Sequence, residues 1–250
     1  MKRLIFSFLL LAPGAFAQDA AQIADYTHGR YEQAVAVKGA EPTAHLLAFK
    51  ARAVLAAGMC EDFEPSTALL ETAEDFAREA LKLDSAHVEA KLQLAIALSL
   101  KARPLSNREA MKTGYGDEAK ALVETALELD PDNAYANGFM AVWHIEVVRR
   151  GGAIGSRLMG ASVTQARNYY QRATASESGD AGIHWQYARA LAALNPRKYR
   201  EDILSALAAA ANSPVDSHVE TVMANRALKL QQMLGSTKYR DIKSWAQQVL

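Results

Sequence analysis

The chain has one cysteine, Cys60, so no disulfide can form within it and its stability must come from packing. It has no net charge: 28 basic residues stand against 28 acidic ones. That balance excludes broad electrostatic attraction to nucleic acid or to anionic lipid as its main work. No motif that reads RNA or DNA is present. There is no strand-like alternation of useful length, and no low-complexity linker divides the chain. The zinc spacing of two histidines four apart with a glutamate after the first is missing, as is the GxxxxGK[ST] phosphate loop. No paired carboxylates, and no nucleophile with its base, can be assembled from the sequence.

The most apolar run lies at the start, MKRLIFSFLLLAPGAFA. Lys2 and Arg3 precede a centre from Leu4 to Ala12, Pro13-Gly14 breaks it, and Ala15-Phe16-Ala17 offers a small-x-small cleavage site. The centre is too short to span a bilayer, which takes roughly twenty residues. Residues 1–17 are therefore expected to be a secretory signal removed after Ala17. No cysteine follows the cleavage point to carry a lipid, so the mature chain is expected to be soluble, periplasmic and not inserted in the membrane. Without Lys2 and Arg3 its balance is slightly acidic. Cys60 reads as a small, half-buried residue near the end of a helix.

What the chain has instead is repetition. AEDFAREALKLDSAHVEAKLQLA from Ala73, AKALVETALELDPDNAYANGFMA from Ala119 and ARNYYQRATASESGDAGIHWQYA from Ala166 run in register. Ala80, Ala126 and Ala173 coincide, and so do Ala95, Ala141 and Ala188. In the middle copy Ala119, Val123 and Ala126 share one helix face, at spacings of four and three. Asp130-Pro131-Asp132-Asn133 then stops the helix and caps the next. That next helix carries Ala136, Met140, Trp143 and Val147 on an apolar stripe. The unit is helix, tight turn, helix, and neither helix can bury its stripe alone. The fold class is all-α, an antiparallel helix-pair solenoid.

These residues resemble the tetratricopeptide repeat (TPR) family. Its second-helix pattern of alanine, bulky residue, alanine and closing proline appears as Ala119, Val123, Ala126 and Pro131. The other copies read Ala73, Ala77, Ala80, Ser85 and Ala166, Tyr170, Ala173, Ser178. The first-helix pair of a large residue before a small one appears as Leu94-Ala95, Met140-Ala141 and Tyr187-Ala188. The resemblance covers roughly residues 42–212. The expected layout is one domain over 18–250, with units at 42–83, 87–129, 134–176 and 181–212 and helical caps at 19–37 and 215–250. The family repeats every 34 residues, whereas Ala73, Ala119 and Ala166 stand 46 and 47 apart. The excess lies in 103–116 and 151–162, which are expected to wall or fill one edge of the array. More weakly, W-H-x-E-V-V-R-R-G-G and the following M-G-A-S resemble regulator-of-microtubule-dynamics proteins, from which the fold alone is carried over.

The TPR resemblance implies a groove lined by first-helix residues, here Glu89, Leu92, Ile96, Tyr135, Gly138, Val142, Trp185 and Arg189. Gly138 beside Tyr135 would leave a hollow, and Trp185 with Arg189 one turn on could clamp an extended peptide. Arg149, Arg150 and Arg157 flank Gly151 to Gly155, either as charges favoured at a helix C-terminus or as an anion-binding edge. Arg108, Lys112 and Tyr115 offer a second contact edge. His144 and Glu146, two apart, point to different helix faces, so His144 is expected to pack. His184 has the same ambiguity. No cofactor, metal or catalytic residue is expected. The reading is a non-catalytic periplasmic scaffold holding a protein or peptide partner in its concave groove. The alternative is a small-ligand binding component, with Trp143, Tyr187 and Trp185 walling a pocket between the lengthened units.

Overall fold

The alanines that repeat in the sequence are where helices touch. Ala73, Ala80, Ala95, Ala119, Ala126, Ala141, Ala166, Ala173 and Ala188 are all completely shut from solvent. A methyl group at each site lets two helix backbones approach closely, and the bulkier Leu94, Leu98, Met140 and Ile145 fill the space between.

The computed structural model describes residues 20–36, 41–61, 64–175 and 180–250. The expected leader, 1–17, lies outside the described residues. Thirteen helices and no strand occur among the described residues. They are α1 (Ala20–Thr27), α2 (Tyr31–Val35), α3 (Ala44–Cys60), α4 (Thr67–Leu83), α5 (Val88–Ala102), α6 (Asn107–Thr113) and α7 (Tyr115–Leu129). Then follow α8 (Ala134–Leu158), α9 (Val163–Ala173), α10 (Ala181–Leu194), α11 (Arg200–Asn212), α12 (His218–Ser236) and α13 (Tyr239–Gln248). α3 pairs with α4, α5 with α7, α8 with α9 and α10 with α11. The first helices also meet in sequence, α3 on α5 and α8 on α10, which is the contact pattern of a TPR-like solenoid.

Local chemistry sets the helix starts. Thr43, Ser66, Asn133, Ser162, Asp180 and Ser217 each accept a hydrogen bond from the amide three residues on. Such a cap contributes about 1 kcal/mol. The first long insert folds as α6, opened by a Ser106–Glu109 capping box and closed by Gly114 at φ 69°. The second is a continuation of α8, broken at Gly152 (φ 58°). Two boundaries differ from the sequence reading. The single helix expected over 19–37 is two short ones, because Gly29 turns the chain at φ 75° between them. Pro214 does not open the last long helix, which starts at His218 behind the Ser217 cap.

The array also closes on itself, which the repeats did not announce. α12 packs on α10 and α11 and reaches back to α3 and α1. Arg226 of α12 donates to the carbonyls of Met59 (2.6 Å), Glu61 (2.5 Å) and Leu250 (2.9 Å). His218 sits against Gly29, where a Cβ would meet its ring at 2.7 Å. Its Nδ1 is 3.3 Å from the Tyr31 hydroxyl and 3.6 Å from the Cys60 sulfur. Burial raises the Cys60 pKa, against the Tyr31 hydrogen bond and Arg226, so at neutral pH Cys60 is a protonated, half-buried thiol.

Three histidines are held neutral. Burial, the largest cause in each, lowers the pKa of His45, His144 and His184. His184 Nδ1 accepts from the Tyr170 hydroxyl at 2.6 Å, and Tyr170 stacks on Tyr187 at 3.9 Å. A histidine that binds its proton less well folded than unfolded leaves stability intact above its unfolded pKa. That stability is lost as pH falls from about 6.5 toward the depressed folded value. Chemical denaturation at pH 7.5 and 5.5 should therefore show lower stability at the acid value, and His184→Phe should shrink the difference. An equal difference in that variant would remove His184 from the effect.

Candidate partner-binding surface

The candidate surface is drawn from the first helices together with α1 and α12, which contact each other, and α12 also meets α3. On α8, Tyr135 is 57% exposed and its hydroxyl donates to Asp180, the α10 cap, at 2.5 Å. On α5, Glu89 accepts from Gln93 at 3.0 Å and lies 3.4 Å from the Arg52 guanidinium of α3. That guanidinium rests 5.3 Å from both the Tyr26 and Phe49 ring centres. Glu220 of α12 accepts from the Asp216 amide.

These groups sense one another across the interior. Burial raises the Tyr26 pKa to about 12; Arg52 opposes the rise, and Glu89, Glu220 and Asp180 add to it. Burial and Asp180 hold Tyr135 well above its usual value, although its ring is open to solvent. Burial lifts the Glu220 carboxyl too, with Asp180 contributing. Burial pulls Arg52 down, but Glu89, Tyr26 and Tyr135 outweigh it and its pKa rises. Three carboxylates, two phenols and one arginine therefore lie within electrostatic reach of one another.

Of the groove residues expected from the sequence, Tyr135 is exposed and Glu89 partly so. Leu92 is 2% exposed, Ile96 packs with Leu55 and Leu70, and Val142 packs into the core around α10. Gly138 leaves no hollow, since Ile183 comes within 3.5 Å of where its Cβ would be. Trp185 and Arg189 hold no open groove: they bind the chain's own C-terminal part, Arg189 on helix α13 and Trp185 on the last residue beyond it. Trp185 is 0% exposed and donates to the Leu250 carbonyl at 2.9 Å, with its ring edge-on to Trp245. Arg189 donates to the Ala246 carbonyl at 3.2 Å, and Arg103 holds those of Gln247 and Val249 at 2.8 Å each. Gathering guanidinium groups here lowers the Arg103 pKa to about 10, by burial first and then by Arg189.

The arginines of the second insert have separate jobs. Arg149 pairs with Glu146 at 2.6 Å. Arg150 donates to the carbonyls of Ala102 (3.1 Å) and Leu105 (2.5 Å) and to Asn107 (3.1 Å), tying α8 to the first insert. Arg157 is exposed on the segment after Gly152. Arg108 and Lys112 are exposed on α6, while Tyr115 lies under Lys101 at 5.4 Å. The three aromatics expected to wall one pocket do not: Trp185 and Tyr187 belong to the core around α10, and Trp143 to the neighbouring one. Among the described residues no group of three or more His, Cys, Asp or Glu is placed to hold a metal ion, and no helix is long and apolar enough to cross a membrane.

Tyr26, Arg52, Asp180 and Glu220 were missed by sequence reasoning. Asp180 falls in the turn between two units, and the other three stand outside the aligned copies.

The fold agrees with what the chain resembles. Residues 24–232 match the family model described as Regulator of microtubule dynamics protein 1-3. The chain belongs to that family. The matched span takes in α2, half of α1 and most of α12. No curated protein matches the chain. Among solved structures, it is similar to the crystal structure of TTC0263, a thermophilic TPR protein of Thermus thermophilus. The two are 20% identical over 84% of this chain and 96% of that one, with a TM-score of 0.56, a likeness of fold. In this regulator-of-microtubule-dynamics family member α12 packs back on α3 and α1, and α13 packs on α10.

Proposed function

We propose that this protein is a non-catalytic scaffold whose inner face holds a basic, extended segment of a protein partner. The observation that supports the reading is the Tyr135–Asp180 wall with Glu89, Glu220 and Tyr26 around it. Tyrosines give large, rigid contact area with a polar tip, and they concentrate binding energy at interfaces. Carboxylates partly withdrawn from water bind lysine and arginine more strongly than surface ones do. The place of action we propose is the periplasm, after loss of residues 1–17, as an exported bacterial member of its family. The expected anion-binding edge at Arg149 and Arg150 is not part of this reading, because both guanidinium groups are engaged within the fold.

A fluorescently labelled Lys/Arg-rich peptide, titrated into the protein at low salt, should bind. Charge reversal at Glu89 and Asp180 together should weaken it about tenfold or more, a change of about 1.4 kcal/mol. Raising the salt should weaken it too. Equal affinity for an acidic peptide of the same length, or for the doubly reversed variant, would rule the reading out.

A further inference from the structure

A second feature lies away from the inner wall. A cavity of about 220 Å³ opens between α7, α8 and α9, on the side reached by the lengthened end of α8. Its most informative wall residue is His144, 6% exposed, whose Nδ1 is shut from water with no hydrogen-bond partner. The ring is fixed by aromatics, stacked 5.4 Å from Tyr169 and edge-on to Trp143 at 5.1 Å.

The orphan nitrogen decides what the cavity sees. Burial and then Lys120 lower the His144 pKa, against Glu124, so the ring is neutral and carries one proton. A proton on Nδ1 would be a buried donor without an acceptor, at a cost of roughly 1–3 kcal/mol. It therefore sits on Nε2, the nitrogen left to the cavity, and the wall presents an N–H donor. Beside it, Lys120 and Glu124 pair with each other one turn apart on α7, and both line the cavity. The ammonium also lies 5.6 Å over the Trp143 ring. The wall thus holds one positive and one negative charge beside the neutral His144 donor, with Gln165 and Tyr169 adding neutral polar groups. The exposed Met159 side chain supplies an apolar part, over the buried Met140. Gly160 marks the open side, since a Cβ there would meet nothing within 4 Å.

We propose that this cavity binds a small zwitterion, a free amino acid whose carboxylate meets Lys120 and the His144 N–H and whose ammonium meets Glu124. A lone anion would face the Glu124 carboxylate, and a lone cation the Lys120 ammonium. A molecule carrying both charges a few bonds apart satisfies both and replaces the Lys120–Glu124 contact with two of its own. The methionines suit an aliphatic side chain by shape and polarisability. The site is independent of the peptide-binding wall, and it uses the lengthened α8 that sets these units apart from ordinary repeats.

The test is calorimetric titration of the whole chain with L-leucine and with its two halves, 4-methylpentanoate and isoamylamine, with Trp143 fluorescence as a second readout. L-Leucine should bind, and each half should bind at least about tenfold more weakly. Lys120→Met keeps a long stem over Trp143 and should lose about tenfold or more in affinity. Met159→Trp, at a position 38% exposed, fills the mouth and should abolish binding while leaving the circular dichroism of the fold unchanged. Three results would overturn the proposal. One is no binding of glycine, L-alanine or L-leucine up to about 10 mM. Another is a half-ligand that binds as well as the whole. The third is unchanged L-leucine affinity in a folded Met159→Trp.

Discussion

Trp185→Ala should lower the unfolding free energy by roughly 3–5 kcal/mol, the usual cost of emptying a fully buried large aromatic site. Trp185 is 0% exposed, and its indole N–H also holds the Leu250 carbonyl at 2.9 Å. The substitution removes the ring that Trp245 packs against and leaves the Leu250 carbonyl with Arg226 as its remaining donor. The loss should be local first. α13 and residues 246–250 should become susceptible to proteolysis before the repeats melt, because the units next to them keep their own alanine contacts. Urea denaturation and limited proteolysis of the same sample check both parts. A loss below about 1 kcal/mol would mean that the tail is not fastened by this contact.

Arg226→Met should cost roughly 3 kcal/mol or more, for a different reason. The methionine keeps most of the packed stem, so hydrogen bonding rather than volume is what changes. The carbonyls of Met59, Glu61 and Leu250 lose a charged donor together, and the last is buried. Those carbonyls belong to opposite ends of the chain, so the curl itself should loosen. Scattering should show a larger radius, and the Cys60 thiol beside His218 should react faster with a disulfide reagent than in the parent. Because Trp185 and Arg226 share the Leu250 carbonyl, each single variant leaves it one donor and the double leaves it neither, so the double should lose more than the sum of the singles. A strictly additive result would show that the two contacts act independently.

Much of the fold was legible. Ala119, Val123 and Ala126 announce a buried helix face by spacing alone, and Asp130 to Asn133 announces the turn by chemistry. Both rules act within a few residues, so no knowledge of the rest of the chain is needed. The inserts were located but not shaped. The Ser106–Glu109 capping box that makes α6 was present in the sequence and was overlooked. Exposure was half legible: Glu89 and Tyr135, picked out by their register in a first helix, are partly or largely exposed. Trp185 and Arg189 have the same register yet are covered, because α13 comes to lie on α10. Gly138 shows the same limit: whether a missing side chain leaves a hollow depends on Ile183, 45 positions away in the chain.

The sequence by itself determined that the chain is helical, where most of its helices start and stop, and which faces pair. Periodicity, capping and proline are properties of neighbouring residues. Only the tertiary structure decided how far the array curls, since curvature is the sum of small rotations at every helix contact and no short stretch encodes it. That sum brings Arg226 to Met59, covers Trp185 with the chain's own last residues, and sets Tyr26, Glu89, Asp180 and Glu220 around one space.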